Sequence, residues 1–168
     1  MKNYLLFFSL FLLSISTYAQ AKVFANAVEY NDYIVAEQYK IGEAIKVFTG
    51  SWTDNTFKEQ PEKHKESVES KRMGLVRQCA ESIKNVTALE AFKGNTELRN
   101  ATAELFKFYL ACAEKEYKRL AELLFFKGDV QAELESMLNS ITAKEDALDK
   151  VFQKAQSEFA KSNGFVLN

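Results

Sequence analysis

The sequence has few residues that interrupt helices. It contains one proline and six glycines among 168 residues. Proline and glycine are the residues that most often end a helix or open a turn. With so few of them, long stretches of the chain can remain helical, and the sequence predicts an all-α protein.

Residues that commonly carry catalysis or bind metals are also scarce. The one histidine, His64, lies in a stretch rich in Lys and Glu and is expected on the solvated surface. The chain has no CxxC, CxxCH, Glu-x-x-His or glycine-rich phosphate motif. A serine nucleophile would have only His64 as a partner. We therefore predict no catalytic residues, no cofactor and no metal site, and we do not expect an enzyme.

The sequence also lacks an excess of charge of either sign. The formal net charge is −1, whereas nucleic acids and anionic membrane surfaces call for a strongly basic face. Neither partner is predicted. After Ala21 no apolar run reaches the ~18 residues that a transmembrane helix needs, so we expect no membrane span in the mature chain.

The N-terminus is typical of a secretory signal peptide. Lys2 is followed by the apolar run Tyr4–Ile15, and Thr17-Tyr18-Ala19 places small residues where signal peptidase cleaves. We predict a signal peptide at 1–19, with cleavage after Ala21 as the second choice. A retained helical anchor is the less favoured alternative. The mature protein is then exported to the periplasm, the outer cell surface or the extracellular space.

Apolar residues recur every three to four positions in four stretches of the mature chain. They predict helices at about 23–49, 67–92, 96–126 and 129–162, joined by one longer loop and two short turns. This arrangement favours an antiparallel up-down-up-down four-helix bundle, which forms a single domain over 20–168.

The two cysteines are placed symmetrically about the predicted turn Lys93–Thr96. Cys79 precedes this turn by about as many residues as Cys112 follows it. Residues equidistant from the turn of a helical hairpin stand side by side. Since export permits disulfides, we predict a Cys79–Cys112 bond. The alternative is a pair of buried free thiols.

Polar residues interrupt the inner faces of the first and last predicted helices. Asn31 and Gln38 fall seven residues apart in the row that also holds Phe24, and Lys144 and Glu145 lie at comparable positions near the C-terminus. Buried polar groups need partners. This candidate polar seam is therefore an internal hydrogen-bond network, a set of seam-edge residues that reach water, or a small ligand pocket.

The predicted register gives the seam specific partners. If Phe24 stands beside Ala160, Gln38 falls at about the level of Glu145 or Asp146, and Asn31 falls near residues 153–156. We predict that Gln38 and Glu145 are at least half buried and within hydrogen-bonding reach of each other, directly or through one water. Lys144, Arg72 and Tyr109 are the other candidates to satisfy Glu145.

Several short segments of the chain resemble a family of secreted bacterial proteins, the leptospiral-type surface proteins, which are small helical bundles. The likeness covers most of the mature chain and is carried by Phe92–Arg99, Lys144-Glu145, Leu148-Asp149, Phe152, Ala155-Gln156 and Phe159-Ala160, with Tyr30–Val35 and Glu37-Gln38 in the first helix. It implies a four-helix bundle outside the cytoplasm and no particular reaction. The cysteine pair is not part of this pattern, so the disulfide prediction rests on spacing alone.

Together these features predict an exported, non-catalytic helical bundle that acts by binding a protein or a cell-envelope component. The alternative is a bundle that binds a small ligand or an ion at the polar seam between the first and last helices.

Overall fold

A computed structural model describes residues 22–54 and 59–167 of the chain. The predicted signal peptide at 1–19 lies outside the described residues. Helices make up 79% of the described part, which contains no β-strand. They are α1 (Ala27–Gly50), α2 (Pro61–Thr87), α3 (Glu97–Glu114), α4 (Glu116–Leu123) and α5 (Gln131–Ser162), with a 3₁₀ turn at Ser51–Thr53.

The predicted four-helix bundle is confirmed. Two consecutive helices, α3 and α4, together form one of its four helical columns. The main packing pairs are α1 with α2, α2 with α3, and α3 with α5. The predicted helix at 96–126 is broken at Lys115, whose φ of −116° and ψ of −69° depart from helical values. Because the Lys115 amide still donates to the Ala111 carbonyl, α4 continues the column after the break.

The second helix is displaced relative to the prediction. It begins at Pro61, where the missing N–H costs nothing because the first amides of a helix have no intrahelical partner. It ends at Thr87 instead of residue 92. The chain then reverses through Lys93 (φ 50°) and Gly94 (φ 82°), and Oδ1 of Asn95 accepts from the Glu97 amide at the start of α3.

The core forms because each helix carries one inner row with alternating steps of three and four residues. In α1 the buried row runs Tyr30, Ile34, Glu37, Ile41 and Phe48, and in α2 it runs Val68, Arg72, Leu75, Cys79, Ser82 and Val86. Most of these side chains are apolar, and their burial supplies the main driving force for folding. The exceptions are a glutamate, an arginine and a serine.

The helices are not packed equally along their length. α1 and α5 touch only lightly, and their best contact is an aromatic cluster in which Tyr30 lies 5.4 Å from Phe159 and 5.5 Å from Phe92 between ring centroids. At the opposite end, none of the first ten residues of α5, 131–140, is fully buried. The light α1–α5 contact leaves a groove on the bundle surface.

Candidate functional site

The described residues contain no group of three or more His, Cys, Asp and Glu side chains arranged to hold a metal ion. No helix within 22–54 and 59–167 is long and apolar enough to cross a membrane. Grooves lie between the helices, and polar residues line parts of them.

The groove between α1 and α5 contains half of the predicted polar seam. Asn31 is buried, and its Oδ1 accepts a hydrogen bond from Nε2 of Gln156 at 2.9 Å. This contact confirms the prediction that Asn31 falls near residues 153–156. The groove has a volume of about 410 Å³, and Gln38, Phe152 and Phe165 also line it.

Gln38 and Glu145 form no direct hydrogen bond in the described part of the chain. Both residues are more than half buried, as predicted, but Glu145 accepts from the Tyr109 hydroxyl at 2.9 Å. With Asn31 opposite Gln156, seven residues along α1 bring Gln38 level with Asp149. Glu145 lies four residues further, about one helical turn away. Tyr109 was among the alternative partners predicted for Glu145, and burial followed by the neighbouring Glu145 charge raises the pKa of its phenol.

Two further seam predictions are corrected. Lys144 is exposed and does not belong to the interior. Arg72 is buried but does not reach Glu145, because its guanidinium is engaged within and beside α2. Its Nε and Nη2 donate to Glu69 at 2.7 and 2.6 Å, and its Nη1 donates to the Ala113 carbonyl at 2.7 Å.

The predicted Cys79–Cys112 disulfide is not formed, and both residues are buried free thiols. The physical reason is the early end of α2. Cys79 lies eight residues before Thr87, whereas Cys112 lies fifteen residues after Glu97, so the two are out of register by more than one turn. Burial raises the pKa of each thiol to about 12, helped at Cys79 by the nearby Cys112.

A buried carboxylate between α1 and α2 was missed in the sequence. Glu37 is 1% exposed. Its Oε1 accepts from Nζ of Lys40 at 2.6 Å and from the Asn85 amide at 3.3 Å, and its Oε2 accepts from the Ser82 hydroxyl at 2.8 Å. Burial alone would raise the pKa of Glu37, but these donors together lower it. The sequence did contain a signal for its burial, because Tyr30, Ile34, Glu37 and Ile41 follow one another in steps of four, three and four residues and so share one face of the helix.

His64 is not on the solvated surface as predicted. Its ring is partly buried, lies edge-on to Phe125 with centroids 5.2 Å apart, and places Nε2 2.7 Å from the Ser51 carbonyl oxygen. These contacts hold the start of α2 against the 3₁₀ turn and the end of α4. They give His64 a structural role.

The solvent side of α1 carries apolar side chains that the bundle does not cover. Val28, Val35, Tyr39 and Val47 are 38–68% exposed, and we call this set the α1 outer face. Val28 and Val35 line the groove toward α5. Tyr39 and Val47 line a second cleft, of about 550 Å³, between α1 and α2. One helix thus presents uncovered apolar groups to two grooves.

Comparison with protein-family models, with curated proteins and with solved structures finds no match to this chain. The resemblance to leptospiral-type surface proteins therefore stays a prediction. The functional argument rests on the geometry of the α1 outer face and its two flanking grooves.

Proposed function

We propose that this protein is an exported, non-catalytic helical bundle that binds a protein or another component of the cell envelope through the α1 outer face. The observation that carries the proposal is the exposure of Val28, Val35 and Tyr39, which lie within about 40° of one another around α1, with Val47 exposed about a quarter turn away. Scattered exposed apolar residues are ordinary, but grouped ones bordered by polar residues are typical of binding surfaces.

Three features support this proposal. The buried apolar residues form one core cluster, and the α1 outer face lies outside it. The α1 outer face lies between two grooves of about 410 and 550 Å³, which fall within the usual range of ligand-sized clefts. Finally, the N-terminal sequence that predicts export would place this surface in contact with envelope components.

The test compares capture of envelope components by the wild-type protein and by the double variant Val28→Lys/Val35→Lys. Two charges on the α1 outer face should abolish specific capture while leaving the fold intact, because both side chains already reach solvent. The matched control is Leu138→Lys/Val151→Lys, which adds the same charge at exposed positions of α5. Equal capture by all three proteins would refute the α1 outer face as the binding surface.

A second candidate function is the binding of a small ligand in the α1–α5 groove. The specific observation is that Asn31, Gln38 and Gln156 bring three amides to one groove beside the Phe152 ring. In this case Gln38→Leu would weaken binding of a polar ligand. It would not change the capture of envelope components by the α1 outer face. Isothermal titration with small polar metabolites, compared between wild type and Gln38→Leu, tests it.

A further inference from the structure

The cleft between α1 and α2 has an open floor because a glycine stands in the middle of α2. Gly74 lines the cleft together with Ala44 of α1. A β-carbon added at Gly74 would meet no atom nearer than Nη2 of Arg77 at 3.9 Å. A glycine inside a helix weakens the helix relative to alanine. No close contact within the protein requires it here, and its effect is to keep the cleft empty.

The α1 wall of the cleft carries an apolar strip, whereas the α2 wall also bears Ser70 and Gln78. Tyr39 and Val47 are 68% and 52% exposed, and with Ala44 they form a strip along α1. The cleft spans residues 39–47 of α1 and 70–78 of α2, which is about 12 Å at 1.5 Å per residue. It is therefore a trough suited to an elongated apolar group.

The rim of the trough carries uncompensated positive charge. Of its ionic residues, Lys40 is bound to Glu37 at 2.6 Å, and Glu43 lies 3.6 Å from Lys46. Lys71 and Arg77 form no ion pair with any of the described residues. The Arg77 guanidinium lies beside the open floor at Gly74, so a negative group on an occupant would meet an available, forked donor.

We propose that the α1–α2 cleft binds an anionic single-chain amphiphile, with its alkyl chain along Ala44, Val47 and Gly74 and its acidic head on Arg77, with Lys71 adding charge to the same rim. The apolar trough accounts for the chain, and the two unpaired cations account for the sign of the head. This inference rests on the proposed function, since it names the chemistry of one envelope component that the bundle would bind.

The experiment uses dodecanoate as the probe, titrated into the protein below its micellar concentration. Dodecanol and dodecyltrimethylammonium are the comparison probes, because they keep the chain and change the head. We expect saturable binding of one dodecanoate per protein, at least tenfold tighter than either comparison probe. Absence of saturable binding, or equal binding of all three probes, overturns the proposal.

Two pairs of variants locate the ligand. Gly74→Leu fills the floor and should weaken dodecanoate binding at least tenfold, whereas Gly42→Leu should leave it unchanged. Gly42 is the matched control because it is also a glycine inside a helix with nothing within 4 Å of an added β-carbon. Arg77→Glu should weaken binding at least tenfold, while Lys150→Glu makes the same charge change on the exposed side of α5 and should have no effect.

Thermal unfolding followed by circular dichroism checks that each variant folds. Leucine is a better helix former than glycine, so Gly74→Leu should melt no lower than the wild type. Dodecanoate binding that Gly74→Leu leaves unchanged would place the ligand elsewhere and overturn the proposal. Val28 and Val35 lie outside the cleft. If dodecanoate does not bind but Val28→Lys/Val35→Lys abolishes the capture of envelope components, this inference fails and the proposed function stands.

Discussion

The hydroxyl of Ser82 donates to Oε2 of Glu37 at 2.8 Å, and this bond joins α2 to α1 inside the core. Lys40 and Asn85 donate to the other carboxylate oxygen. A buried carboxylate with donors on both oxygens remains charged, whereas the same group without them would be neutralised or expelled to water. The charged Glu37 carboxylate thus stabilises the α1–α2 interface, although the surrounding row of apolar residues gives no indication of a buried charge.

This contact predicts a specific loss of stability in acid. The pKa of Glu37 in the folded protein is below its ordinary value of 4.5, so the unfolded chain takes up the proton first. The stabilisation is fully present above about pH 4.5 and is lost as the pH falls toward the lower folded pKa. In Glu37→Gln we expect unfolding at pH 7 to cost about 1–3 kcal/mol less and to depend less on pH below 4.5.

Urea unfolding at several pH values between 7 and 3 measures this difference. Glu43→Gln is the control, because Glu43 is half exposed and pairs with Lys46 at 3.6 Å, a surface contact worth little. If wild type and Glu37→Gln lose stability in parallel below pH 4.5, Glu37 does not titrate as described.

The amide pair between α1 and α5 predicts a coupling energy. Removing Asn31 leaves Nε2 of Gln156 without its acceptor. We therefore expect each of Asn31→Leu and Gln156→Leu to cost about 1–2 kcal/mol, and the double variant to cost less than the two together. A double-mutant cycle measured by chemical denaturation tests this. Additive costs would show that the two amides do not interact, and Gln153→Leu, at an exposed position of α5, should be nearly neutral.

The contacts of Arg72 predict that a lysine at this position, which keeps the positive charge, cannot replace the several donors of the guanidinium. Its three nitrogens reach Glu69 and the Ala113 carbonyl from a position that is 5% exposed. Lysine keeps the charge but cannot make these contacts together. Arg72→Lys should therefore destabilise the bundle by about 1–3 kcal/mol, whereas Arg77→Lys, at an exposed position, should change stability by less than about 0.5 kcal/mol. Equal unfolding midpoints for the two variants would contradict this role of Arg72.

The free thiols predict low reactivity in the native protein. Both Cys79 and Cys112 are buried, with pKa values raised to about 12, so almost no thiolate is present at pH 8. A disulfide-exchange reagent should react slowly with native protein and should find two thiols per chain after denaturation without reductant. Zero thiols in the denatured sample would contradict the free-thiol state.

Much of the fold could be predicted because helix formation depends on local periodicity. Four apolar rows and few breakers were enough to predict four helical columns. The break at Lys115 could not be predicted, because the flanking Glu114 and Glu116 favour helix and no proline or glycine lies near it. Such a break depends on tertiary packing, which a local pattern does not contain.

The candidate site was harder to predict because it depends on register between helices. The pairing of Asn31 with residues 153–156 was predicted, whereas an offset of about one turn replaced Gln38–Glu145 with Tyr109–Glu145. The early end of α2 likewise separated the two cysteines. Glu37 was overlooked and Arg72 was given the wrong partner, because charged residues are almost never fully buried unless they are paired, and the pairing partners are visible only in three dimensions.

The absence of buried residues in the first ten positions of α5 has a consequence for how the protein opens. Within residues 131–140 only Leu134 and Met137 pack against the core, and both are partly buried. The rest of the segment relies on the local helix and on exposed contacts such as the Arg119–Glu133 ion pair at 2.7 Å. A segment with few buried contacts unfolds locally at a fraction of the global free energy. Amide hydrogen exchange should therefore begin in this part of α5, while the second half of the same helix, which buries Phe152 and Phe159, should exchange only when the whole bundle unfolds.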